Sequence, residues 1–283
     1  MLSVLSREKI DRAVRQALEE DCPFGDLTAC AIVDENAQSE ARLVAREPGI
    51  LAGRDVFEAA FKAQNPSVSV EFQANDGDSF AAGDCIATVS GPVRDILTAE
   101  RVALNFVQHM SGIASYTGKF VEAVRGTKAR IADTRKTTPG LRCFEKYAVS
   151  CGGGINHRMS LSDAVMIKDN HCAFVQQSGL SLSEAVRLVR SRVGHTVCIE
   201  VEVDGFDQIS QALDGGADVI MLDNFSVEDM RRSVDFIAGR AVVEASGNMS
   251  LERVPAVAAT GVDVISVGAL THSVRAVDLG LDV

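Results

Sequence analysis

VCIEVEVDGFDQISQALDGGADVIMLDNFSVEDMRRSVDFIAGRAVVEASGN, residues 197–248, decides the fold class. Val197–Val203, Asp218–Asn224 and Ala241–Ser246 are short runs rich in β-branched residues. Between them, Asp207–Gly215 and Val227–Ala238 space their apolar residues as helices do. Strands alternating with helices predict βαβ units and hence a parallel sheet. The near-continuous apolar character of the strands says that both sheet faces are covered.

Outward from this stretch the rhythm continues. Arg130–Thr134 and Ala164–Asn170 precede it, Val262–Gly268 follows it, and helices are predicted over Leu182–Arg192 and Leu251–Thr260. Such alternation fits either a closed α/β barrel or an open doubly wound sheet, and six strands fall short of a full eight-stranded barrel. The strand ends favour the barrel. They read Asp133-Thr134-Arg135-Lys136, Lys168-Asp169-Asn170-His171, Glu200 with Glu202, Asp223-Asn224, Glu244 with Ser246-Gly247-Asn248, and Ser266 with Gly268. In a barrel the carboxyl ends of all strands meet at one mouth, where active sites are assembled.

The first ~110 residues read differently. Ile10, Ala13, Val14, Ala17 and Leu18 share one face of an N-terminal amphipathic helix within Met1–Glu20, which is too charged for a signal peptide. Ala41, Leu43 and Ala45, and then Val68, Val70 and Phe72, alternate as half-buried strands around a helix over Asp55–Gln64. A long helix starts after Pro92 and runs through Ile96, Ala99, Ala103, Phe106 and Met110. The pattern predicts a small α+β domain with its own sheet.

The chain has 283 residues, 46% of them hydrophobic and 24% charged, and a net charge of −11. That composition is globular, and the acidic balance excludes general nucleic-acid or anionic-membrane binding. No apolar run reaches the ~18 residues of a membrane span. Seven cysteines are scattered without a C-x-x-C pair, which predicts reduced thiols in a cytoplasmic protein.

One segment opposes the acidic balance. Asp133–Arg158, DTRKTTPGLRCFEKYAVSCGGGINHR, sets Arg135, Lys136, Arg142, Lys146 and Arg158 against Asp133 and Glu145, with His157 besides. A compact basic cluster in an acidic protein predicts an anion site, Arg engaging carboxylate or phosphate with its planar fork and Lys with a point charge. Gly152 reads as a helix C′ cap after Phe144–Cys151, ahead of a loop that delivers His157 and Arg158. Ser246-Gly247-Asn248 and Ser266-Val267-Gly268 close the last two strands, where barrels commonly bind phosphate. Glu202 and Asp223 at neighbouring strand ends could bind Mg²⁺, hold ribose hydroxyls or stabilise a developing cation.

These segments resemble the quinolinate phosphoribosyltransferase family. The resemblance is carried by AERVALN at 99–105, SGIAS at 111–115, DTRKTTPGLR at 133–142, EKYAV at 145–149, GGGINHR at 152–158, MIKDNH at 166–171, EVEV at 200–203, MLDNF at 221–225, EASGN at 244–248 and ISVGALTHS at 265–273. It implies a small N-terminal α+β sandwich domain over residues 1–112, with the C-terminal tail, about 274–283, packed on it. An incomplete parallel α/β barrel over 113–273 would follow. It implies transfer of a phosphoribosyl group from phosphoribosyl pyrophosphate to quinolinate, with Mg²⁺, in a cytoplasmic homodimer. Arg135, His157, Arg158 and Lys168 would surround the quinolinate carboxylates, and Lys136 would lie near the phosphoribosyl pyrophosphate. Glu202 and Asp223 would face ribose, pyrophosphate and metal, as direct or indirect metal ligands. Ser246, Gly247, Asn248, Ser266 and Gly268 would hold phosphate, and Arg101 would enter from the partner subunit. Glu202, Asp223 and Lys136 would then be the catalytic residues.

Overall fold

The computed structural model describes residues 5–177 and 179–283, which form two compact units. In chain order the elements are α1 (Arg7–Asp21), α2 (Leu27–Ile32), β1 (Gln38–Ala45), β2 (Gly49–Ile50), α3 (Arg54–Gln64), β3 (Ser69–Phe72), β4 (Ser79–Phe80), β5 (Cys85–Pro92) and α4 (Val93–Ala123). They continue with β6 (Arg130–Ala132), α5 (Arg142–Cys151), β7 (Val165–Ile167), α6 (Asp169–Gln177), α7 (Leu182–Arg192), β8 (Ile199–Val203), α8 (Phe206–Gly215) and β9 (Val219–Asp223). Last come α9 (Val227–Ile237), β10 (Val242–Ser246), α10 (Val254–Ala258), β11 (Val264–Ser266), α11 (Ala269–His272) and β12 (Leu279–Asp282).

The first unit comprises the chain up to Gly118 together with Pro139–Gly153 and Ser273–Val283. Its four-stranded antiparallel sheet has the order β12-β1-β5-β3. Alternation in β1 buries Ala41, Leu43 and Ala45 on one face. Helix α3 buries Val56, Phe57, Ala60 and Phe61, and the Phe57 ring meets Phe61 and Phe72 edge-on at 5.1 and 5.8 Å. The N-terminal helix begins at Arg7, where Ser6 accepts a capping bond from Lys9 N–H, and buries Ile10 and Val14. The chain returns at its end to this unit, with β12 pairing beside β1. Helix α4 passes unbroken through Gly112, where a Cβ would crowd the Arg275 carbonyl and lie 3.1 Å from Ala276 Cα.

The second unit, Lys119–Thr138 with Gly154–His272, holds a six-stranded parallel sheet ordered β6-β11-β10-β9-β8-β7. From β7 to β11 each strand pairs with the next in sequence. The sheet therefore steps in one direction throughout, as a barrel does, and does not reverse as a doubly wound sheet would. Strand β6 pairs with β11, and on its other side Ile155 makes a single parallel bridge to Ala132. No β6–β7 pairing occurs among the described residues, so the barrel is incomplete.

Boundaries shift for identifiable reasons. Leu251–Thr260 is helical only over Val254–Ala258, because Pro255 sits in the first turn and a turn precedes it. Asp169–Gln177, not foreseen as a helix, is one; its apolar residues do not mark a single face. Helix α5 ends at Gly152, but the left-handed residue is Gly153 (φ 85°), so the glycine demanded by backbone conformation lies one position later. Gly152 is required sterically, since a Cβ there would lie 2.7 Å from Thr117 Cβ.

Candidate active site

Period-two alternation decides which strand residues face the barrel interior. The register aligns Met166 with Glu200, Glu202 with Met221, Asp223 with Ser246 and Ser266 with Ala132. Met166, Lys168, Glu202, Met221, Asp223, Ser246 and Ser266 line a cavity of about 400 Å³. Thr134, Arg135 and Lys136, following β6, and His157 and Arg158 in the next loop complete its wall. Nine residues singled out from sequence thus meet in one place. A second cavity of about 250 Å³ shares Glu202 and Asp223 and adds Asp169 and Asp204.

Asp133 organises the basic wall. It is fully buried, accepts His157 N–H at 2.8 Å and Asn156 Nδ2 at 2.7 Å, and so ties the Ile155–Arg158 loop to the end of β6. Arg158 Nη1 donates to the Ala164 carbonyl at 3.0 Å. Burial and then the nearby Arg135 charge lower the Arg158 pKa. Arg135 Nε is buried and has no hydrogen-bond partner among the described residues. Two crowded guanidiniums, one with an unsatisfied donor, constitute a site that an anion would stabilise. Lys168 Nζ forms an ion pair with Glu202, whose side chain is 14% exposed.

His157 faces two buried acids. Its Nε2 lies 3.1 Å from Glu200 Oε2 and 3.4 Å from Glu244 Oε1, while Nδ1 accepts Arg158 N–H at 2.8 Å. Burial disfavours the imidazolium, but hydrogen bonds and charge from Glu200 and Glu244 outweigh it and push the His157 pKa up to about 10. Charging the ring would put a proton on Nδ1 and release the Arg158 amide, so that hydrogen bond opposes the pull of the two acids on the proton. Burial likewise raises Glu200, against His157 and with the Glu244 charge.

The loops that follow β9 and β10 are built on left-handed backbone. Gly247 (φ 93°) is flanked by Asn248 (φ 50°), and Asn224 (φ 56°) follows β9. Asn224 Nδ2 donates to Asp223 Oδ2 at 2.7 Å and its Oδ1 accepts from Asn248 Nδ2 at 3.1 Å. Arg253 donates to the carbonyls of Gly247 (2.9 Å) and Phe225 (2.8 Å), clamping the two loops together. A Cβ on Gly268 would lie 3.0 Å from Lys136 Cδ and 3.1 Å from His272 Nε2, so this glycine lets both side chains approach the end of β11. Arg101 lies exposed on α4 in the other unit.

Sequence reasoning assigned no role to Met166 and Met221, the apolar wall, although their inward parity follows from strand alternation. Glu200 and Glu244 are legible in the sequence as strand-end acids, but no local pattern shows that they bracket His157. His272 beside Gly268 also escaped sequence reasoning.

Residues 26–111 match the family model described as quinolinate phosphoribosyl transferase, N-terminal domain, and residues 113–282 the C-terminal domain of the same family. The nicotinate-nucleotide pyrophosphorylase [carboxylating] of Mycobacterium leprae is 44% identical over the full length of both chains. A probable enzyme of the same name from Bacillus subtilis is 43% identical, over 93% of this chain and 90% of that one. The crystal structure of NadC from Streptococcus pyogenes superposes with a TM-score of 0.95 at 41% identity, covering 99% of this chain and 98% of the other.

Proposed function

The chain belongs to the quinolinate phosphoribosyl transferase family, and on that premise we propose that it converts quinolinate and phosphoribosyl pyrophosphate into nicotinate mononucleotide, CO₂ and pyrophosphate in NAD biosynthesis. The observation that carries this is the cavity in which Arg135, Lys136, Arg158 and Lys168 converge, with a buried Arg135 Nε donor left unsatisfied. Both substrates are polyanions, and unsatisfied cationic donors are the groups that bind them.

Arg135, His157, Arg158 and Lys168 take the two carboxylates of quinolinate, and Lys136 lies on the phosphoribosyl pyrophosphate side. Ser246, Gly247, Asn248, Ser266 and Gly268 hold the 5′-phosphate. The quinolinate nitrogen attacks the anomeric carbon as the carbon–oxygen bond to pyrophosphate breaks, with the electron pair leaving on pyrophosphate. Glu202 and Asp223 stabilise the positive charge that develops on the ribose. The new pyridinium then draws in the electron pair released when the adjacent carboxylate departs as CO₂, and a proton from solvent completes the ring carbon. The protein positions and neutralises, with no covalent intermediate. Glu202 and Asp223 are hard oxygen donors that line both the cationic cavity and its acidic neighbour, which suits Mg²⁺, an ion that takes few carboxylates and completes its shell with substrate oxygens and water. When bound, Mg²⁺ would neutralise the leaving pyrophosphate.

The direct test is formation of nicotinate mononucleotide from quinolinate, run beside nicotinate. Turnover with quinolinate and none with nicotinate is expected, and the reverse would assign the site to another pyridine acid. A homodimer is part of the same reading, Arg101 reaching the partner's cavity. Inactive Arg101→Ala mixed with inactive Lys136→Ala under subunit exchange should recover part of the activity. No recovery at all would place the whole site within one chain. A cytoplasmic location is part of the same reading; among the described residues no helix is long and apolar enough to cross a membrane.

A further inference from the structure

Two buried acids beneath the cavity take no part in the chemistry just described. Glu200 on β8 and Glu244 on β10 face inward, one layer deeper than Glu202 and Ser246, and each is 4% exposed. The interior layers of a parallel barrel are ordinarily branched aliphatics, and a buried carboxylate is strongly unfavourable unless it is paired. Both acids converge on His157 Nε2, and Ser266 Oγ also donates to Glu244. His157 and Ser266 line the cavity, and the two acids do not.

We propose that Glu200 and Glu244 are positioning residues that lock the His157 imidazole for the quinolinate half of the site. The inference rests on the function proposed above and goes one step deeper into that site. The ring is held at both ends, by the acids at Nε2 and by Arg158 N–H at Nδ1, while Asp133 holds the His157 backbone. Nε2 donates to the acids whether the ring is neutral or charged, so their hold does not depend on its protonation state, whereas the Nδ1 contact belongs to the neutral ring. The trio has the composition of a metal site, and its ligand atoms lie within 4.8 Å of one another. Metal binding would need the Nε2 lone pair while Nδ1 still accepts from Arg158, leaving the ring without a proton. Hydrogen bonding is therefore the chemistry of this cluster.

Glu200→Ala should raise KM for quinolinate about tenfold while KM for phosphoribosyl pyrophosphate stays within about twofold, because orientation is lost on one substrate only. Glu244→Ala should raise KM for quinolinate likewise, but it also releases Ser266 Oγ and so moves KM for phosphoribosyl pyrophosphate as well. The Gln variants keep an acceptor at Nε2 and should stay within about threefold of wild type. In a His157→Gln background, Glu200→Ala should add nothing, since the two changes act through one contact. Should the alanine variants fail to fold, Glu200→Asp withdraws the carboxylate by one methylene and should raise KM for quinolinate alone. Equal movement of both KM values in Glu200→Ala, or full additivity of that change with His157→Gln, would overturn the lock. The ¹⁵N-edited ring spectrum of His157 gives a reading independent of turnover: an Nε2–H resonance unchanged in Glu200→Ala would also overturn it. A wild-type protein inactive on quinolinate would count against the functional reading instead.

Discussion

Arg135→Ala is expected to lower kcat/KM for quinolinate by about 10²–10³-fold or more, the loss typical of removing one preorganised donor, with Lys136→Ala similarly inactive. Neither change should unfold the protein. Arg135 carries a buried Nε without a partner, and its charge helps lower the Arg158 pKa. In the free protein the two guanidiniums repel, so deleting one should leave the melting temperature unchanged or raise it. With a dianion bound, both cations have their counter-charge, and the same deletion removes binding. Loss of activity joined to undiminished stability is the signature of a site held in readiness for an anion. Steady-state kinetics and a thermal melt on the same preparation decide the matter, and near-normal turnover in either variant would remove these residues from the site.

Gly247→Ala is the second large effect, and here stability and activity should fall together. At φ 93° alanine is strained by about 1–2 kcal/mol, and its Cβ would lie 2.6 Å from Asn224 Cγ and 2.8 Å from Asn224 N. The backbone cannot yield easily, because Arg253 holds the Gly247 and Phe225 carbonyls. Overpacking of this kind adds about 1–3 kcal/mol, for a total near 2–4 kcal/mol in a denaturant titration. Moving Asn224 also breaks its 2.7 Å bond to Asp223, so KM for phosphoribosyl pyrophosphate should rise by more than about tenfold. Gly268→Ala is the comparison. Its nearest neighbours are Lys136 Cδ and His272 Nε2, parts of side chains that can swing away, and its φ lies outside the left-handed region. A milder loss is expected there, and equal losses at the two positions would refute the steric account.

The amino-acid sequence by itself determined the alternation of strands and helices, the polar strand ends and the basic island between Asp133 and Arg158, because each depends on neighbours a few residues apart. Helix α7 spans the predicted Leu182–Arg192 for that reason, capped reciprocally by Ser181 and Glu184. Helix α6 was hidden, because Asp169–Gln177 lacks a consistent apolar face. Barrel and doubly wound sheets share the same alternation; the polar strand ends favour the barrel, but the strand order itself is a matter of non-local hydrogen bonding. Glu200 and Glu202 show the same division at the scale of two residues. Alternation puts both on one face, but only the packed barrel makes Glu200 a buried partner of His157 while Glu202 reaches the cavity and pairs with Lys168. Depth within a barrel is set by the strands on either side, and no local sequence pattern encodes it.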